Sequence, residues 1–164
     1  MAEGNANPID PRTPLLADLV QICRELNFQG AKYIVIGGFA VIQHGHLRTT
    51  GDIDVLIEDS PGNQIKAKRA LEILPDKAVL ELGDDDLRNW VVVRICDEVV
   101  VDLMTLACGI SYQEGESEIQ VFMIDGVPIP FASAKLLLRT KQTFREKDAE
   151  DRMFLEAKIA REAK

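Results

Sequence analysis

The chain has 164 residues, of which 46% are apolar and 28% charged, with a formal net charge of -8. That is enough chain for one ordinary domain with its own core, and the balance excludes a disordered or membrane-embedded protein. The negative surface repels phosphate backbones, so non-specific nucleic-acid binding is disfavoured and a small anionic ligand would need metal ions as intermediaries.

Residues 1–13, MAEGNANPIDPRT, are polar and read as a flexible tail, with residues 14–164 as a single domain. The tail lacks the apolar stretch of a secretion signal, and no later apolar run reaches the roughly 18 residues of a membrane span. Three cysteines, Cys23, Cys96 and Cys108, are widely spaced inside apolar segments, where they are expected to pack as small hydrophobes. A reducing, cytoplasmic setting suits them.

Leu15, Leu16, Leu19, Ile22, Cys23 and Leu26 recur at helical spacing and predict an amphipathic helix over residues 14–27. KYIVI is β-branched and apolar, and Gly37-Gly38 separates it from FAVIQHG, a predicted helix running to about Gly45. HLRTTG is a polar loop. DIDVLIE is a second strand closed by Ser60, Pro61 and Gly62, and NQIKAKRALEIL predicts another helix. From residue 76 short β-like runs follow: KAVLEL, then NWVVVRI and EVVVDLMTL as a hairpin turning at Asp97 and Glu98. EIQVFMI and VPIPFAS flank Asp125-Gly126, a dipeptide suited to a two-residue turn. Ser133 is placed to cap a helix through LLLRTKQTF, and residues 147–160 read as the last helix. This order predicts an α+β (mixed α/β) domain, a mixed sheet flanked by helices.

On a strand, Asp52 and Asp54 point to one side, with Ile53 and Val55 on the other. Like charges so close cost free energy unless a cation sits between them or one takes a proton. Magnesium supplies that cation, binding carboxylate oxygens at about 2.0 to 2.1 Å and completing its shell with water and phosphate. An exposed strand start would also tolerate the pair, so the neighbours decide. Gly37 and Gly38 stand between strand and helix, where missing side chains let backbone N–H groups approach a phosphate or simply make a tight turn. Asp102 is a lone acid in an apolar strand, where an unpaired buried carboxylate is costly. Arg48, Thr49 and Thr50 precede the acid pair in a loop that reaches the same sheet end. Arg48 is placed to hold a phosphate, to pair with one of those aspartates, or to remain solvated. Lys135, Lys141, Arg145 and Lys147 cluster in sequence near Asp148 and Asp151; the acids also suit the first turns of a helix, and the lysines suit its surface. His44 and His46 make no zinc site, GDDDLR reads as a solvated turn, and Trp90 as core.

"IGGFAVIQHGHLRTTGDIDVLI", with "VVVDLM" and "KLLLRTKQTFREKDAEDRMFL", resembles the nucleotidyltransferase superfamily that includes DNA polymerase β. It is most similar to the small bacterial members grouped with the AbiEii-type toxin nucleotidyltransferases, over residues from about 14 to 160. The resemblance implies the nucleotidyltransferase fold and a two-metal mechanism using Mg2+, with Mn2+ a possible substitute. It implies that Asp52, Asp54 and Asp102 hold the ions and that Asp102 also activates an acceptor hydroxyl. Gly37, Gly38, Arg48, Thr50, Lys135 and Lys147 are the expected nucleotide contacts. The implied reaction moves a nucleoside monophosphate from a nucleoside triphosphate to a hydroxyl of a protein, an RNA or a small molecule, releasing pyrophosphate. A second expectation is a member of a toxin-antitoxin pair acting through a protein partner. A third, a sugar transferase using D-x-D, leaves Gly37-Gly38 without a role.

Overall fold

A computed structural model describes residues 10–163. Of the expected tail, residues 1–9 lie outside the described residues. Within the rest of it, Arg12 forks onto Asp18 at 2.7 and 2.8 Å and reaches Glu98 at 3.2 Å, while its backbone N–H donates to the Glu98 carbonyl at 2.9 Å.

Helix α1 (Leu16–Phe28) buries Leu19, Val20, Ile22, Cys23 and Leu26, and its first turn is capped by Asp18, which accepts the Leu15 N–H at 2.6 Å. Strand β1 (Tyr33–Ile36) is buried throughout and leads directly into α2 (Gly37–Gln43), so the two glycines form the first turn of the helix instead of preceding it. Strand β2 (Asp52–Ile57) and helix α3 (Pro61–Leu71) follow. Ser60 and Pro61, expected to close the strand, instead start the helix: the Ser60 hydroxyl accepts the Asn63 N–H, and proline at the first position lacks the N–H that would go unpaired there.

The expected strand KAVLEL is a 3-10 turn, Ala78–Glu81, that buries only Val79. Asp97 explains the difference. Its side chain is 2% exposed and accepts the N–H groups of Asp76 and Ala78 at 3.1 and 2.9 Å, satisfying the start of that turn from across the fold. A short helix α4 (Asp86–Asn89) precedes β3 (Val92–Cys96) and β4 (Val100–Met104). Trp90, expected in the core, is 65% exposed, because the strand begins only after it. Beyond α5 (Tyr112–Gly115) come β5 (Ile119–Ile124) and β6 (Val127–Ala132), joined through Asp125 and Gly126, both at positive φ as a type I′ turn requires. Helix α6 (Ala134–Arg139) is capped by Ser133 but ends earlier than expected, and α7 (Glu146–Glu162) packs against it. Cys96 and Cys108 are exposed, not packed as expected, whereas Cys23 lies in the core.

The strands form one six-stranded mixed sheet in the order β3-β4-β2-β1-β6-β5. Seven helices accompany it among the described residues, an α+β architecture. Parallel β2 and β4 sit side by side, β1 runs antiparallel to β2, and β3 forms the antiparallel edge. One sheet face carries Tyr33, Val35, Ile53, Val55, Val101 and Leu103, all buried; the Tyr33 hydroxyl donates to Asn27 of α1 at 2.8 Å, fixing that helix over this face. Burying those side chains stabilises this face of the sheet, while the site lies on the other. No described helix is long and apolar enough to cross a membrane.

Candidate active site

The register of four strands puts the site in one lateral row. Ile36 stands opposite Asp54, Asp54 opposite Asp102, and Asp102 opposite Arg94. Residues directly paired across strands share a face, so both acids and the arginine project the same way, and Asp52 joins them two residues back on β2. Each of the three aspartates offers a carboxylate oxygen, and these oxygens lie within 4.8 Å of one another. Three hard oxygen donors at that spacing match what Mg2+ or Mn2+ takes from a protein.

Charge crowding shows in the proton affinity of the central member. Burial first, then the neighbouring charges of Asp52 and Asp102, push the Asp54 carboxyl up from the usual carboxylate range to about 7. Arg94 supplies partial relief at one side. Its Nε donates to Asp102 Oδ1 at 3.0 Å, and its Nη2 lies 3.0 Å from Asp102 Oδ2 and 3.1 Å from Asp52 Oδ2. Hydrogen bonding to Asp102, reinforced by the charges of both acids, raises the guanidinium's already high pKa.

The two glycines do something different from what their position in the sequence suggests. Gly37 has φ +71°, and a Cβ there would overlap the Asp54 carboxylate; a Cβ on Gly38 would overlap the Thr50 side chain. Their first demonstrable role is to make room for Asp54 and Thr50 at the start of α2. Thr50 is buried, and its hydroxyl donates to the Asp52 carbonyl at 3.2 Å, holding the entrance of β2.

Asp52, Asp54 and Asp102 line a cavity of about 490 Å³, together with Gly37, Gly38, Arg48, Thr50 and Lys147 of the expected contacts. That volume lies within the range of small-molecule sites. Lys135 is the exception: it is exposed on α6 between the buried Ala134 and Leu136, and it takes no part in the lining. Its strand-side neighbours claim the inward face of that short helix. Arg48 does not meet Asp52 or Asp54. It pairs with Asp151 instead, Nε to Oδ1 at 2.9 Å and Nη2 to Oδ2 at 3.0 Å.

The segment joining α6 to α7 lines the same cavity with Lys141, Thr143 and Arg145, and the first turn of α7 adds Lys147. Lys141 is 6% exposed and reaches Asp148 at 3.2 Å and Asp151 at 3.0 Å. Asp148 also accepts from the Thr143 hydroxyl and from Arg145 Nε at 3.1 Å. Burial pushes its carboxyl up, but Thr143, Lys141 and Arg145 together outweigh that and hold it below the usual range. Lys147 makes no ion pair among the described residues.

Arg94 was missed in the sequence, and the burial of Lys141 was not foreseen. Arg94 carried a usable signal, since it lies on a strand of the expected hairpin. A turn of two residues at Asp97 and Glu98 would put it opposite Val101; the actual connection spans Asp97, Glu98 and Val99, and the one-residue difference moves it opposite Asp102. Lys141 was seen, but its burial follows from Asp148 and Asp151, which share one face of α7 with Leu155.

No protein-family model matches this chain, and no curated protein matches it.

Proposed function

We propose that this protein is a metal-dependent nucleotidyltransferase of the nucleotidyltransferase fold, carrying a nucleoside monophosphate from a nucleoside triphosphate to a hydroxyl acceptor. The observation that carries this reading is the meeting of Asp52, Asp54 and Asp102 within 4.8 Å at one end of the sheet, in a cavity also lined by the basic α6–α7 segment. The resemblance of the glycine, D-x-D and C-terminal segments to that superfamily also supports it.

Asp52, Asp54 and Asp102 would hold the divalent ions. Bound there, Mg2+ would neutralise charge on the phosphates and stabilise both the attacking and the leaving oxygen of an in-line displacement. Three carboxylates carry the negative charge that a pair of such ions requires. The acceptor oxygen forms a bond to the α-phosphorus while the bond from that phosphorus to the bridging oxygen of the β-phosphate breaks. Pyrophosphate leaves with the electron pair. On the resemblance to the superfamily, Asp102 also takes the acceptor's proton. Lys147, exposed at the cavity wall and without an ion pair among the described residues, meets the phosphates as a point charge. Arg48 and Lys141 are held in ion pairs with Asp151, so they contribute a fixed positive wall instead of a mobile clamp.

The test is incubation with α-labelled triphosphates, Mg2+ and a host lysate, beside a γ-labelled control. Transfer of α label that is abolished by Asp54→Asn, with the circular dichroism spectrum unchanged, is the expected result. Transfer of γ label would identify a kinase, and no transfer of either would remove the reading.

A further inference from the structure

Arg94 engages both oxygens of Asp102 and one of Asp52, which are oxygens that a divalent ion between those two residues would need. A guanidinium remains charged at any working pH, so it cannot give up these partners by losing a proton. It can move. Arg94 stands on the edge strand β3, its side chain is 58% exposed, and Val92 and Cys96, which flank it on the same face, are also open to solvent. Among the described residues, the two carboxylates are its hydrogen-bond partners.

Resting on the nucleotidyltransferase reading, we propose that Arg94 is an exchangeable counterion: it occupies the acid cluster until divalent ions displace it, and then binds the substrate's polyphosphate. Two constraints lead there. A cation entering between Asp52 and Asp102 takes the oxygens that now accept from Arg94, and it repels the guanidinium besides. The displaced side chain remains anchored on the wall of the same cavity, where the new anion within its reach is the polyphosphate the ions bring in. The planar fork that now spans Asp102 suits two phosphate oxygens equally well. Arg94 thus differs from Arg48, whose partner Asp151 is fully buried, is shared with Lys141 and lies outside the acid cluster.

The proposal requires opposite effects on two ligands. Mn2+ binding to the nucleotide-free protein is measured by electron paramagnetic resonance in wild type, Arg94→Ala, Arg94→Lys and Asp54→Asn. Binding of inorganic tripolyphosphate at saturating Mg2+ is then measured by calorimetry. Arg94→Ala is expected to tighten Mn2+ about tenfold, the size of one charge-assisted pair removed from competition, and to weaken tripolyphosphate by a similar factor. Arg94→Lys, which keeps the charge and loses the fork, is expected to fall between on both. Mn2+ binding that is unchanged or weakened in Arg94→Ala overturns the exchange, as does unchanged tripolyphosphate binding, while the nucleotidyltransferase reading survives if wild type binds Mn2+ and Asp54→Asn does not. If neither wild type nor Arg94→Ala binds Mn2+, both fall. A thermal melt of each variant establishes that the comparison is between folded proteins.

Discussion

Two groups of aspartates, one lining the cavity and one reaching it through Asp148, are built on opposite principles. Asp52, Asp54 and Asp102 lie on adjacent strands with one cationic side chain, Arg94, among them. Asp148 and Asp151 lie one turn apart on α7, more deeply buried at 1% and 0% exposure, and are met by Lys141, Arg145 and Arg48. The first group is under-compensated, and its central carboxyl is pushed up to about 7; the second is compensated, and the Asp148 carboxyl is held low. Burial alone therefore does not separate acids whose charge is matched from acids left under-compensated. The ratio of charge to counter-charge does.

The hardest blow to this contrast would come from Asp151→Asn. Removing its charge leaves Arg48 and Lys141, both largely buried, short of their shared partner, and breaking a buried pair by removing one member typically costs about 3 to 5 kcal/mol. Urea unfolding monitored by circular dichroism should show a loss near that size. A loss below about 0.5 kcal/mol, the ordinary surface value, would mean the α7 acids are not structural in the sense claimed.

Asp54→Asn should move stability the other way. A carboxyl that holds its proton more tightly folded than unfolded binds extra protons in the native state, so stability falls as pH rises from about 4 through about 7. In chelator at pH 8 the wild-type protein bears that penalty in full, and the neutral amide relieves about 1 to 3 kcal/mol of it after screening is allowed for. The expected observation is a higher Tm for the variant at pH 8, a gap that shrinks toward pH 5. Equal melting temperatures across that range would show that the three carboxylates are not crowded. By the same sign, Mn2+ binding to wild type should weaken as pH drops below about 7, because protons compete for Asp54.

Much of the crowded group was legible in the sequence, and little of the compensated one. Strand alternation alone puts Asp52 and Asp54 on one face, and a lone acid among valines marks Asp102. Those inferences need only a period of two. Arg94 needed the register of a hairpin, which depends on whether two or three residues turn the chain, and one residue flips the face. The fates of Arg48 and Asp151 depend on a contact between residues 103 positions apart, and no local pattern encodes that. The segment 77–82 failed as a strand for a related reason, since the Asp97 carboxylate that shapes it stands about twenty residues away.

Lys135 and Lys147 offer the smallest expected effects and the finest test. Both were expected nucleotide contacts, both are exposed, and neither makes an ion pair among the described residues, yet only Lys147 lines the cavity. Substituting either with alanine should change stability by less than about 0.5 kcal/mol, since no packed or paired group is lost. Their ligand effects should differ. A lysine facing a polyphosphate as an exposed point charge contributes about 1 kcal/mol, so Lys147→Ala should weaken tripolyphosphate binding roughly fivefold, and less at high salt, while Lys135→Ala leaves it unchanged. If the two variants behave alike, the basic wall acts only through its summed field. A weaker complex in Lys147→Ala alone would tie recognition to the one cation in that wall that, among the described residues, is not already held by an aspartate.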